Sequence, residues 1–281
     1  MSKESRWPIL VVALAAVAAA GYFAWQKWQE RAQPAPPPRV EAPAAEPTAP
    51  PAEPAIRYPI GRAEPQAEEA GPLPPLGESD KLVQDALVGL LGGDAVQTFV
   101  SPSDFIRHVV ATVDNLPRER APVRVWPVRP TAGRFAAQGQ GEAAMLSPEN
   151  YRRYAPFVQF VEAVDTGKAV ALYVRLYPLF QRAYEELGYP NRYFNDRLVE
   201  VIDHLLATPE VAGPVRLIPP EVKGPVALPR PWVLYRFADP ALEARSAGQK
   251  ILIRVGPENA AQFKKKLAEI RRQVTGDAGP R

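Results

Sequence analysis

The chain has 281 residues, of which 34 are proline, two are histidine and none is cysteine, with a net charge of +3. Without cysteine there can be no disulfide, thiolate nucleophile or thiolate metal site. A charge this balanced does not call for nucleic acid, and none is expected as a partner, because phosphate binders concentrate positive charge on one face.

Residues Trp7–Trp25 (WPILVVALAAVAAAGYFAW) carry no charge. At 1.5 Å per helical residue, about 19 residues cover a hydrocarbon slab of roughly 30 Å. Lys3, Glu4 and Arg6 precede the run and Lys27, Glu30 and Arg31 follow it. Trp7 at one end and Tyr22, Phe23, Trp25 and Trp28 at the other suit the two headgroup layers. A cleaved signal peptide ending near Ala18-Ala19-Ala20 is the competing reading. The aromatic cluster after Ala20 favours a retained, single-pass anchor, so the membrane is the first expected partner. Positive charge is nearly equal on the two sides. Orientation therefore follows the usual signal-anchor arrangement, with the N-terminus inside and the long domain outside.

From Pro34 to Pro75 proline and alanine dominate. Proline removes donors and fixes φ, so this stretch predicts a disordered, polyproline-type spacer of neither helix nor sheet. Its simplest role is distance, and docking to a proline-reading partner is the alternative.

Beyond the spacer the periodicity becomes helical. A helix opens near Ser79-Asp80 with Leu82, Val83, Ala86, Leu87, Leu90 and Leu91 on one face, and Gly92-Gly93 closes it. Asp94 begins a short helix through Phe99. Ser101-Pro102 predicts a third, with Phe105, Ile106, Val109, Val110 and Val113 as its stripe. PVRVWPVRPTAGRF reads as extended and proline-interrupted, and Ala137 to Ala144 as a glycine-containing loop. Ser147-Pro148 starts a helix that turns Tyr151, Tyr154, Phe157, Val158, Val161 and Val164 inward. A helix from Lys168 to Leu187 follows, bent at Pro178. Asn195 is placed as the N-cap of a helix from Asp196 to Ala207. A Pro/Gly-punctuated region, Thr208 to Pro231, leads to a strand, WVLYRF. Ser246-x-x-Gln249 is a capping-box pattern, and Gly256-Pro257 opens a last helix striped by Ala260, Phe263, Leu267, Ile270 and Val274.

The expected fold is mainly α with minor β: a transmembrane helix, a disordered Pro-rich linker and a compact helical domain with a few short strands. Its parts are a cytoplasmic tail over 1–6, the membrane helix over 7–25, the linker over 26–75, the globular domain over 76–275 and a disordered tail over 276–281.

Three stretches then carry a resemblance: ENYRRYAPFV, LYPLFQRAYEELGYPNRYFNDRLVEVIDHLLATP and SAGQKILIRVGPENAAQFKKKL. They resemble the bacterial domain-of-unknown-function family 3014 over most of Leu73 to Val274. The resemblance implies a bacterial envelope protein; taken with the anchor and its expected orientation, the expected location is the bacterial inner membrane with the globular domain periplasmic. It implies no activity and carries no catalytic residue.

Chemistry-bearing motifs are absent. There is no G-x-S-x-G elbow, and the glycines near Gly139 and Gly167 lack the spacing of a phosphate loop. His108, four residues after Asp104, and His204, four after Glu200, read as exposed helical pairs rather than metal ligands. No metal and no cofactor are expected. Two carboxylates would serve a wall-active hydrolase, and Glu185, Glu186, Asp196, Glu200 and Asp203 around Gly188 are the candidates for that alternative; Glu149 has a dipole reason to stand in a first helical turn. Tyr173, Tyr177, Phe180 and Tyr184 form an aromatic stripe that reads as core. Lys264, Lys265, Lys266, Arg271 and Arg272 read as a solvated basic flank.

The loop Gly188 to Arg197 is the most unusual surface. Tyr189, Asn191, Arg192, Tyr193, Phe194 and Arg197 interleave aromatic and polar groups suited to sugar or peptide. The leading expectation is a non-enzymatic binding or scaffold module contacting a cell-wall component or another envelope protein. An inverted topology would make it a cytoplasmic-facing adaptor.

Overall fold

The computed structural model describes residues 27, 55–60, 71–220 and 234–276. The expected membrane span Trp7–Trp25, the tail over 1–6 and most of the expected linker lie outside the described residues, as do 277–281. No helix among the described residues is long and apolar enough to cross a membrane. A compact unit spans Glu53–Arg281. It is mainly helical with short strands, as its periodicity predicts.

Nine helices are described: α1 (Asp80–Leu91), α2 (Gly93–Phe99), α3 (Phe105–Asn115), α4 (Pro148–Ala163), α5 (Thr166–Glu186), α6 (Phe194–Leu206), α7 (Pro240–Glu243), α8 (Ala247–Arg254) and α9 (Pro257–Val274). The largest apolar cluster gathers Val83 and Leu87 of α1, Val96 of α2, Ile106 and Val110 of α3, and Leu176, Phe180 and Tyr184 of α5. Helix α5 touches α1, α3, α6 and α9 and lies at the centre of the bundle. The Tyr173–Tyr184 stripe is core, with Tyr177, Phe180 and Tyr184 buried. A second cluster joins Val201 and Leu205 of α6 to Leu252 of α8, against Phe263 and Leu267 of α9.

Starts and ends follow local chemistry in most places. Ser147 accepts the Glu149 amide ahead of Pro148, Asp165 accepts that of Lys168, and Ser246 accepts that of Gln249. Only half of the expected capping box forms, because the Gln249 side-chain Nε2 donates to the His204 carbonyl instead (3.1 Å).

Helix α3 starts later than Ser101-Pro102 predicts. The Ser101 amide donates to the Pro127 carbonyl and Phe99 accepts from Arg129, each at 2.9 Å, so a Val100–Val128 bridge holds this stretch extended. The chain enters α3 through Asp104 at φ 49°, the one positive-φ non-glycine among the described residues. Its amide is held by Asp80 (3.1 Å).

The segment Ala137 to Ala144 is not a plain loop. β1 (Ala137–Gln138) and β2 (Met145–Leu146) pair antiparallel in the register Ala137↔Leu146, around a 3₁₀ turn at Gly141–Ala143. β3 (Leu217–Ile218) pairs with β4 (Arg236–Phe237), and Met145 bridges to Arg216. Leu146, Leu217, Phe237 and Ile253 of α8 share a small core. Of the expected strand WVLYRF only Arg236–Phe237 is a strand among the described residues.

Helix α8 crosses close to the ends of α3 and α6. A Cβ at Gly248 would lie 2.5 Å from Leu205 Cδ2 and 3.1 Å from the Leu116 carbonyl, which also accepts the Gly248 amide. Gly248→Ala is therefore expected to cost about 1–3 kcal/mol through overpacking. Gly89→Ala in α1, where nothing lies within 4 Å, should gain roughly 0.5–1 kcal/mol from helix propensity. Urea unfolding of the two variants checks both signs.

Candidate functional site

The site is built at the turn between α5 and α6. Helix α5 ends in a Schellman arrangement, with the Tyr189 amide bonding to Tyr184 O (3.3 Å) and that of Gly188 to Glu185 O (3.0 Å). Gly188 at φ 116° makes the reversal without a Cβ clash. The turn folds Tyr189 back onto Tyr184, ring centroids 4.6 Å apart. The Tyr189 hydroxyl lies 3.1 Å from Arg118 Nη2 and 3.3 Å from Asp114 Oδ2.

Asp114 is the charge around which this end is organised. Its side chain is 3% exposed and is paired to both Arg118 and Arg197. A buried carboxylate holds its charge only when paired and hydrogen-bonded. Arg197 meets it by donating to Asp114 Oδ1 and to the Asp114 carbonyl, both at 3.2 Å, and bridges outward to Glu200 at 3.1 Å. The ion pairs thus join α3 to α6 from within.

Asn195 is not the N-cap of α6. Tyr193 holds that position without a side-chain cap, and the amides of the first turn are satisfied by α5. Phe194 donates to Gln181 Oε1 (2.9 Å) and Asn195 to the Tyr177 hydroxyl (3.3 Å). Asn195 is wholly buried. Its Nδ2 donates to Tyr58 O (2.9 Å) and Val274 O (3.1 Å), and its Oδ1 accepts from the Tyr173 hydroxyl (3.2 Å).

Tyr58 belongs to a stretch the composition assigns to the spacer. Residues 55–60 lie along the start of α6. The two oxygens of Asp196 accept the consecutive amides of Arg57 (3.0 Å) and Tyr58 (2.8 Å), and the Tyr193 hydroxyl accepts that of Ile60 (2.9 Å). Beside this strap is a cleft of about 540 Å³ lined by Arg57, Tyr58, Arg192, Tyr193, Asp196, Arg197 and Glu200, among others.

The six residues singled out from the loop therefore separate. Phe194 is core, stacked on Phe180 with centroids 5.9 Å apart. Tyr189, Tyr193 and Arg197 are half-buried and engaged, while Asn191 and Arg192 are exposed. Tyr193, Arg192 and Arg197 meet at the cleft.

Most of the remaining polar groups are occupied. Glu186 pairs with Arg107 and Arg182, Glu185 with Arg182, and Asp203 with Arg271. With Asp196 and Glu200 engaged as above, every carboxylate of the hydrolase alternative has a partner. The histidines are not exposed pairs. His204 Nε2 lies 2.8 Å from the Ser246 hydroxyl, and His108 is half-buried with its Nδ1 buried and unpartnered among the described residues. No group of three potential metal ligands occurs among the described residues. Nor is the flank of α9 a solvated face. Lys264 donates to Thr208 O (2.6 Å), Lys266 to Val164 O (2.9 Å), and Arg271 is buried, leaving Lys265 and Arg272 exposed.

A sequence model of the family described as "Protein of unknown function (DUF3014)" matches residues 105–271. The chain belongs to that family. No curated protein and no solved structure matches it. The DUF3014 match runs from the first residue of α3 into the last turn of α9. It contains Asp114, Tyr193, Asn195, Asp196 and Arg197, whereas the strap residues precede it. Sequence reasoning missed Asp114, Asn195 as a buried node, and the strap. The one available signal was the break in the Pro/Ala pattern at Ile56-Arg57-Tyr58.

The tyrosines give this end a pH dependence. Burial raises the Tyr173 and Tyr177 hydroxyls well above the ordinary 10.0. It pushes Tyr184 up to about 12, opposed by nearby Arg197. An unfolded chain releases these protons near pH 10 while the folded one holds them. Their contribution is thus complete below pH 10 and is lost as pH rises through the folded values. In an alkaline titration, three of the ten tyrosines should form phenolate, read by ultraviolet absorbance, only together with loss of helical circular dichroism. Phenolate from all ten before any helix loss would contradict this.

Proposed function

We propose that this DUF3014 member is a single-pass, membrane-anchored protein of the bacterial envelope whose periplasmic domain is a non-enzymatic binding or scaffold module. The uncharged Trp7–Trp25 run with its aromatic ends supports the anchor, and the family resemblance supports the envelope setting. The observation that carries the binding reading is the state of the site's polar groups. Asp114, Asp196, Glu200, Asp203, Glu185 and Glu186 are all committed to cations or backbone amides. An acid–base pair needs one carboxyl poised to give a proton and another free to take one. Here the carboxylates position structure instead. Exposed Arg192, which lines the cleft beside Tyr193, and its exposed neighbour Asn191 are the groups left to meet a cell-wall component or another envelope protein.

The absence of cysteine makes the test clean. Full-length Arg192→Cys and Lys81→Cys variants would be treated, in intact spheroplasts, with a membrane-impermeant maleimide bearing a photocrosslinker. Lys81 is exposed on α1, away from the cleft. The expected result is labelling of both without lysis and a discrete crosslinked partner from Arg192→Cys alone. Labelling only after lysis would contradict the topology, and indistinguishable adducts from the two sites would contradict the binding face.

A further inference from the structure

We infer that the N-terminal end of α6 is a docking groove for an extended peptide, read through its main chain, and that residues 55–60 occupy it as the chain's own ligand. The inference rests on the reading of the domain as a binding module and names the ligand class.

Three adjacent side chains read four main-chain groups. Asp196 takes the amides of Arg57 and Tyr58, Asn195 supplies a donor to the Tyr58 carbonyl, and Tyr193 takes the amide of Ile60. Between Arg57 and Ile60 the one residue whose nitrogen is not read is Pro59, which has no N–H to offer. A carboxylate accepting two consecutive amides makes charge-assisted bonds, the stronger kind. It does so in the first turn of α6, where a negative charge is also favoured by the helix dipole. The pattern is one of peptide capture, in which main-chain bonds supply affinity and pockets for alternate side chains supply selectivity. Tyr58 and Ile60 turn inward and are half-buried, while Pro59 and Ile56 between and before them are exposed. Ile60 packs on the main core, and the Tyr58 hydroxyl reaches Arg271, itself paired with Asp203.

The groove is preformed by the domain. Asn195 is fixed from behind by Val274 O and the Tyr173 and Tyr177 hydroxyls, and Tyr193 packs against the Tyr177 ring at 5.2 Å. None of these contacts involves the strap. The reader residues lie inside the family match at 105–271 and the ligand lies before it, so the groove belongs to the domain and the segment to the tether. Occupancy within one chain follows from connectivity. Leu73, which follows the strap closely in sequence, packs against the same core as Ile60. A tethered ligand of this kind faces the groove at an effective concentration in the millimolar range.

The test uses a fluorescent peptide of residues 53–62 and the full-length chain, read by anisotropy. In one variant, residues 55–60 are replaced by alternating Gly and Ser. That variant should bind the peptide at least tenfold more tightly than the wild-type chain, whose groove is filled. Adding Asp196→Ala to it should weaken binding at least tenfold. No binding to the replaced variant while its circular dichroism is native would overturn the groove, as would equal binding to wild type and variant. A second readout serves if replacement unfolds the domain. Trypsin should cleave after Arg57 slowly in the wild type and at least tenfold faster in Asp196→Ala, and equal rates would reject the clasp. Failure here with the Arg192 crosslink intact removes the groove alone. Loss of both removes the binding module.

Discussion

The wholly buried amide of Asn195 is the interaction on which this domain's functional end depends. A primary amide taken out of water needs partners for its donors and its acceptor, since each group left unmade costs roughly 1–3 kcal/mol. Asn195 finds them on three different parts of the chain. Tyr173 comes from the central helix α5, the Val274 carbonyl from the end of α9, and the Tyr58 carbonyl from the strap. The same residue's main-chain amide reaches Tyr177. One residue thereby fixes the start of α6 against the core and sets the strap beside it. The neighbouring Asp114 does for charge what Asn195 does for polarity, drawing Arg197 of α6 and Arg118 beyond α3 inward. Arg197, held by Asp114, and Tyr58, held by Asn195, both line the cleft.

This arrangement explains why the residues most suggestive of chemistry are poor candidates for it. His204, a set of acidic residues on neighbouring helices and a tyrosine stripe are what a search for catalysis would select. In the folded domain they help hold the helices in register. Tyr177 and Gln181 satisfy the first amides of α6 in place of a cap. Ser246, while capping α8, is held by His204. Lys264 and Lys266 close carbonyls at the ends of other elements.

How far the sequence carried the fold is seen in its helices. Apolar spacing and the Gly92-Gly93, Ser147-Pro148 and Gly256-Pro257 punctuation placed α1, α2, α4, α5, α8 and α9 near their observed limits, because those signals are local. The errors share one cause. Ser101-Pro102 is a sound helix start until a bridge to Val128 holds it extended. Asn195 is a sound cap until α5 supplies the partners. The hairpin of β1 and β2 and the pairing of α9's lysines likewise depend on residues far along the chain. Within the candidate loop, alternation of aromatic and polar types was legible, but which rings face the core was not. Arg197 differs from Arg192 only in what lies behind it. The strap was hidden by composition, since a proline-rich neighbourhood masks six residues that bond like part of a domain.

Residues 55–60 are held to the folded unit through Asp196, Asn195 and Tyr193. Native-state amide exchange on the full-length chain, resolved to single residues, tests this. Slow exchange is expected at Arg57, Tyr58 and Ile60 and fast exchange at Ile56, whose amide is not bonded to these three side chains. Exchange of all four amides at the rate of an unstructured peptide, in a domain whose α5 amides stay protected, would contradict it.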